Sequence, residues 1–176
     1  RPVIVRIRGA LSNCYLLRGT RPVLVDTGAP GDLERVLAEL RRQGIEPRQL
    51  ALILLTHGHS DHAGCAAELR RRSGAPLALH AGDREIVRSG RNGPLSPVTP
   101  AARLIRPFVD EAFEAFTPDV EFREGFDLAP YGVRGEVVAT PGHTPGSATV
   151  LLAGGEALIG DLLRGSMLLP NRARPH

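Results

Sequence analysis

Six apolar residues, Leu50 to Leu55, run without interruption into Thr56-His57-Gly58-His59-Ser60-Asp61-His62. A run that is apolar at every position suits a strand covered on both faces, so it predicts a layered sheet with the polar cluster at the strand's end. Three imidazoles and a carboxylate within six residues make poor core filler, because each needs a polar partner to offset its lost hydration. His57 and His59 are two apart and project to one side at a strand end, while the turn after Ser60 brings Asp61 and His62 round at the start of a helix. One loop thus supplies donors for two neighbouring metal sites. Imidazole nitrogen and carboxylate oxygen suit zinc, and also iron or manganese.

The rest of the chain alternates in the same way. Val3 to Ile7, Cys14 to Leu17 and Pro22 to Val25 read as strands, and Asp26-Thr27-Gly28 ends the third. From Asp32 to Arg42, Leu33, Val36, Leu37 and Leu40 recur at helical spacing, with Gly44 in the usual stop position. After the cluster, Ala63 to Arg72 reads as a helix, Pro76 to His80 as a buried strand and Asp83 to Arg88 as a short helix. Ser89 to Pro100 is rich in Gly, Pro, Ser and Asn and reads as a surface loop, followed by a helix from Ala101 to Phe116. Short strands come next at Val120 to Phe122, Val133 to Ala139, Ala148 to Leu152 and Ala157 to Ile159. With 176 residues, 42% of them apolar and only 4% aromatic, the chain suits one α/β domain with an aliphatic core, covering residues 1–176.

Two later residues extend the chemistry. Thr140-Pro141-Gly142-His143-Thr144-Pro145-Gly146-Ser147 sets one histidine in a tight loop, and Ile159-Gly160-Asp161 ends a short apolar strand in a carboxylate. Taken alone, His143 reads as a turn histidine and Asp161 as an ordinary strand-end acid. His80 reads as a hydrogen-bonded structural histidine, and Cys14 and Cys65 as buried thiols, since no Cys-x-x-Cys spacing is present.

In chain order, the His-x-His-x-Asp-His cluster, the Gly-His loop and the Gly-Asp resemble the metallo-β-lactamase superfamily, and Asp26-Thr27-Gly28 matches a fourth marker of it. The resemblance runs from about residue 12 to residue 165. It implies a four-layer αββα sandwich with mixed sheets and a metal centre at one edge, between the sheets. It also implies His57, His59 and His143 on one metal, Asp61 and His62 on the other, and Asp161 bridging them, with Asp26 orienting the ligands from behind. Two zinc ions are the expected cofactor. The family pattern closes the second site with a further histidine; only His176 follows Asp161 here, without the helix and strand that precede the family's last ligand, so that ligand is expected in chain beyond the C-terminal end.

The implied function is that of a hydrolase in which a metal-bridging hydroxide attacks the substrate and Asp61 orients it and accepts a proton. Asp161 stands where several β-lactamases of the family carry cysteine, and the Thr140 to Ser147 loop is similar to that of hydroxyacylglutathione hydrolases, glyoxalase II. A small-molecule thioester, ester or lactone is therefore expected. A phosphodiesterase or nuclease, a mono-iron oxidoreductase of the persulfide dioxygenase kind, and a non-catalytic binding relative remain as alternatives. The 22 basic residues, all arginine, are scattered among 19 acidic ones, which disfavours nucleic acid as partner. No apolar run reaches membrane-spanning length and no leader is visible, so a soluble cytoplasmic protein is expected, its oligomeric state left open.

Overall fold

The computed structural model describes residues 2–92, 111–165 and 173–175. Strands β1 (Val3–Arg8), β2 (Asn13–Arg18) and β3 (Pro22–Val25) pair antiparallel; β4 (Leu52–Leu54), β5 (Leu77–His80) and β6 (Val120–Phe122) continue from β3 in parallel. The result is a six-stranded sheet in the order β1-β2-β3-β4-β5-β6. Parallel neighbours need crossovers, and helices supply them: α1 (Leu33–Arg42) between β3 and β4, then α2 (Ser60–Ala63) and α3 (Ala66–Ser73) between β4 and β5. Helix α4 (Arg84–Ser89) follows β5. Strands β7 (Gly125–Asp127), β8 (Gly135–Ala139), β9 (Ala148–Leu152) and β10 (Ala157–Leu158) form a second, wholly antiparallel sheet in the order β10-β9-β8-β7. A backbone pair, β11 (Leu163–Gly165) with β12 (Ala173–Pro175), ends the described chain.

The uninterrupted apolar run now has its physical reason. Ile53 and Leu55 face the helices, packing with Leu37 and Leu40 of α1 and Leu69 of α3, whereas Leu52 and Leu54 face Val137, Val150 and Leu152 of the second sheet. Alternate side chains of β4 therefore enter two different cores, and all of them are fully buried. Among the described residues, no helix is long and apolar enough to cross a membrane.

Three expectations need correction. The helix expected from Ala63 to Arg72 is broken: α2 covers Ser60–Ala63 and α3 begins at Ala66. The break lets residue 64 press against the loop after β3, where a side chain on Gly64 would come within 2.5 Å of Pro30 N. Of the helix expected from Ala101 to Phe116, residues 101–110 lie outside the described residues, as do most of the Ser89 to Pro100 loop and His176. Residues 111–116 form no helix; Phe113 N and Phe116 N donate to Gly90 O and Val87 O, so the two rings reach the helix-side core from an irregular segment docked on α4. Strand β7, Gly-Phe-Asp, was not expected: it carries one apolar side chain and owes its form to pairing with β8.

Candidate metal centre

The cluster lies where β4 ends. Asp26, directly after β3, has a left-handed backbone (φ 61°), and its carboxylate turns toward the neighbouring loop. Its Oδ1 accepts from Thr56 N at 2.7 Å, and its Oδ2 accepts from Thr56 Oγ1 at 2.9 Å and faces His62 Nδ1 at 2.9 Å. A carboxylate can only accept, so His62 carries a proton on Nδ1 and turns Nε2 toward the centre. Thr56 Oγ1 spends its proton on Asp26 and stands 3.2 Å from His57 Nδ1, which orients a second imidazole through the same carboxylate. The loop backbone is tied down as firmly: Thr27 donates to His62 O through both N and Oγ1, at 2.8 Å each, and Asn92 Oδ1 accepts from Ser60 N at 2.8 Å, which caps α2 from outside.

All six expected ligands converge. His57, His59 and His143 bring ligand atoms within 4.8 Å of one another, and so do His57, Asp61 and His62. His59 Nδ1 lies 3.0 Å from His143 Nε2. Asp161 stands between the groups, Oδ1 3.2 Å from His62 Nε2 and Oδ2 3.7 Å from His143 Nε2, and Asp61 Oδ2 is 3.6 Å from His62 Nε2. Asp26 lies behind them, 2% exposed. The side chains of Asp61 and Asp161 are 21% and 35% exposed, so the centre opens to solvent on its carboxylate side. His80 is elsewhere engaged: Nε2 donates to Arg123 O at 2.5 Å and Nδ1 accepts from Gly82 N at 3.0 Å, a structural role as expected.

The electrostatics favour a cation. Burial, with Asp161 and Asp26 adding to it, pushes the Asp61 carboxyl up against the opposing pull of His62. Burial draws the His62 imidazole down, yet Asp26, Asp161 and Asp61 together outweigh it and hold the ring well above the ordinary histidine range. Three carboxylates around imidazole donors repel one another unless protons or a metal ion intervene. Nitrogen and oxygen donors at this spacing fit a zinc-like ion, with iron or manganese as chemically acceptable substitutes.

A family model of the metallo-β-lactamase superfamily matches residues 7–167. The chain belongs to the metallo-β-lactamase superfamily. Its helix-sheet-sheet stack is part of the αββα sandwich expected from the sequence. A relative from Methanocaldococcus jannaschii, named a probable metallo-hydrolase, is 29% identical over 81% of this chain and 63% of its own. A hydroxyacylglutathione hydrolase from Anaeromyxobacter dehalogenans is 35% identical over 85% of this chain and 45% of its own. The chain thus spans from about half to under two thirds of these relatives' lengths. Among solved structures, a metallo-β-lactamase from Novosphingobium pentaromativorans superposes with a TM-score of 0.66 at 27% identity, over 82% of this chain and 52% of that one.

This metallo-β-lactamase centre also draws in residues that the sequence did not single out. Thr56 borders the cluster in sequence, and adjacency was the only signal it gave; Asn92, 32 residues beyond Ser60, gave none. Ser12, whose Oγ donates to Asp61 O, and Asp83 come from distant segments and gave none.

Proposed function

We propose that the chain acts as a metal-dependent hydrolase of a small thioester, ester or lactone, holding two zinc ions. What supports this reading is the carboxylate of Asp161, which stands between His62 and His143 at 3.2 and 3.7 Å and so joins two donor groups into one centre. His57, His59 and His143 would hold one ion and Asp61 and His62 the other, with Asp161 within reach of both donor groups. Zinc bound there supplies Lewis acidity, acidifying water and polarising a carbonyl oxygen. Asp61, at the open side, would orient the attacking water and take its proton. Asp26 keeps the proton of His62 on Nδ1, leaving Nε2 free to ligate. The likeness to a hydroxyacylglutathione hydrolase favours a thioester among acyl substrates.

The test combines elemental analysis of the full-length protein with assays on thioester, lactone and bis-phosphodiester substrates. About two zincs per chain with thioester or lactone turnover is expected, and Asp61→Ala is expected to lower turnover by about 10²–10⁴-fold with an unchanged circular dichroism spectrum. One iron per chain without hydrolysis overturns the reading in favour of a persulfide dioxygenase-like oxidoreductase; phosphodiester turnover alone overturns the substrate class.

A further inference from the structure

Asp83 is fully buried at the start of α4 and takes no part in the chemistry of the centre. An aspartate preceding a helix ordinarily accepts a bond from that helix's own first turn. Asp83 makes no such cap bond. Its acceptors go instead to two loops far away in sequence: Oδ2 takes Gly58 N at 2.8 Å and Thr144 Oγ1 at 2.7 Å, and Oδ1 takes Gly146 N at 2.8 Å. Gly58 sits between His57 and His59, and Thr144 directly follows His143. One carboxylate therefore grips the backbone between two of the gathered histidines and the residue beside the third.

The packing is built around this grip. A side chain on Gly146 would come within 2.5 Å of Asp83 Cγ, and one on Gly58 within 3.2 Å of Asp83 Cβ. Gly82, in the turn carrying Asp83, passes so close to the His143 loop that a Cβ there would meet Pro145 O at 2.7 Å. His80 ties that turn down, its Nδ1 accepting from Gly82 N and its Nε2 donating to Arg123 O. Both sheets are joined here, because Gly58 follows β4 whereas Thr144 and Gly146 lie in the loop between β8 and β9.

We propose that Asp83 is a positioning residue for the metal centre, a carboxylate clamp that sets His143 against His57 and His59; this rests on the metal-centre reading. Without the clamp the His143 loop keeps its own bonds, such as Thr144 N to Ser147 Oγ at 2.9 Å, and its end stays tied by Ala148 N to Thr56 O at 2.8 Å, but Thr144 and Gly146 lose the carboxylate they share with Gly58. Ligands that must be drawn together bind metal more weakly than ligands held in place. Asp83→Asn keeps the shape and replaces one acceptor oxygen by a donor. Facing three donors, the amide oxygen keeps either Gly58 N and Thr144 Oγ1 or Gly146 N alone, and the NH2 group then opposes the donors at the other position.

The test compares wild type and Asp83→Asn, both full-length and stripped of metal, at a temperature where circular dichroism shows both folded. Zinc affinity is read by competition with a chromophoric chelator, and ligand geometry by the visible spectrum after cobalt(II) loading. Zinc binding about 10–100-fold weaker, with an altered cobalt spectrum, is expected. A residue that served stability alone would lower the Tm and leave both readouts untouched, and that result overturns the proposal. Should Asp83→Asn fail to fold, Thr144→Val removes one bond of the clamp at constant size; weaker zinc binding is expected, and wild-type affinity overturns the clamp. A wild-type chain that takes up neither zinc nor cobalt fails at the metal-centre reading itself, which is distinct from tight binding shared by wild type and variant.

Discussion

The two sheets contribute to the centre in different ways. The first sheet delivers His57, His59, Asp61 and His62 from a single stretch after β4, a strand buried on both faces, and fastens that stretch through Asp26, Thr27 and Asn92. The second sheet delivers one residue per loop. His143 sits between β8 and β9, and Asp161, 35% exposed, in a short turn after β10. The first set is held largely within its own half of the fold; His143 depends on contacts that cross to the other half, among them those of Asp83 and the bond from Ala148 N to Thr56 O. Four candidate ligands on one buried, hydrogen-bonded stretch form a platform, and two candidate ligands on separate loops form a closure.

The largest effect is expected from breaking the platform. Asp26→Ala removes the acceptor for Thr56 N, Thr56 Oγ1 and His62 Nδ1 in a buried setting, and puts alanine at a φ of 61°. Removing one partner of such a buried pair costs about 3–5 kcal/mol. Denaturant unfolding should show that loss, and metal content should fall with it, since both His57 and His62 lose their orientation. Full metal content in a folded Asp26→Ala protein would show that the platform does not rest on this carboxylate.

A smaller effect is expected at the closure. Gly146→Ala drives a methyl to within 2.5 Å of Asp83 Cγ, so the His143 loop must shift. Overpacking of this kind costs about 1–3 kcal/mol. Zinc affinity should drop with it, whereas the hydrogen-exchange protection of β4 should stay at the wild-type level. Gly31→Ala is the control: a Cβ there meets nothing within 4 Å, and neither stability nor metal binding should change. Equal disturbance of β4 and of the His143 loop by Gly146→Ala would erase the distinction between platform and closure.

The platform is also the part that was legible in the sequence. An apolar run with a polar end, helical spacing from Leu33 to Leu40 and a compact histidine cluster are local signals, and β3, α1 and β4 follow from them within a residue or two, whereas the helix after the cluster divides into α2 and α3. The closure was visible only through resemblance, because one histidine and one aspartate in separate loops carry no pattern of their own. Three kinds of feature escaped. Strand β7 has too little apolar sequence to announce itself. Phe113 and Phe116, three apart, imitate a helix face while their backbone bonds go to α4. Asp83 looked like a helix start, and nothing local reveals that donors to its carboxylate lie 25 and 63 residues away.

The smallest effect sharpens the comparison from the platform's rear. Cys65 follows α2, is 3% exposed, and its thiol donates to Ala29 O at 2.9 Å, locking the loop after β3 to the end of the cluster. Burial pushes this thiol up from 9.0 to about 11, and the buried Cys14 is raised as well. At pH 8 an alkylating reagent should therefore leave Cys65 unmodified in the native protein over a period that labels it fully in denaturant, with no loss of metal. The same shift fixes a sign for stability. Below about pH 9 the thiol is neutral in both states and contributes no slope; between about pH 9 and 11 the unfolded chain has released its proton and the folded one has not, so stability falls as pH rises. Cys65→Ala should flatten part of that fall while leaving stability near pH 7 lower only by the lost packing. Rapid labelling of native Cys65 at pH 8 would mean that the platform opens as readily as the closure, and the ligands of the two sheets would then be held alike.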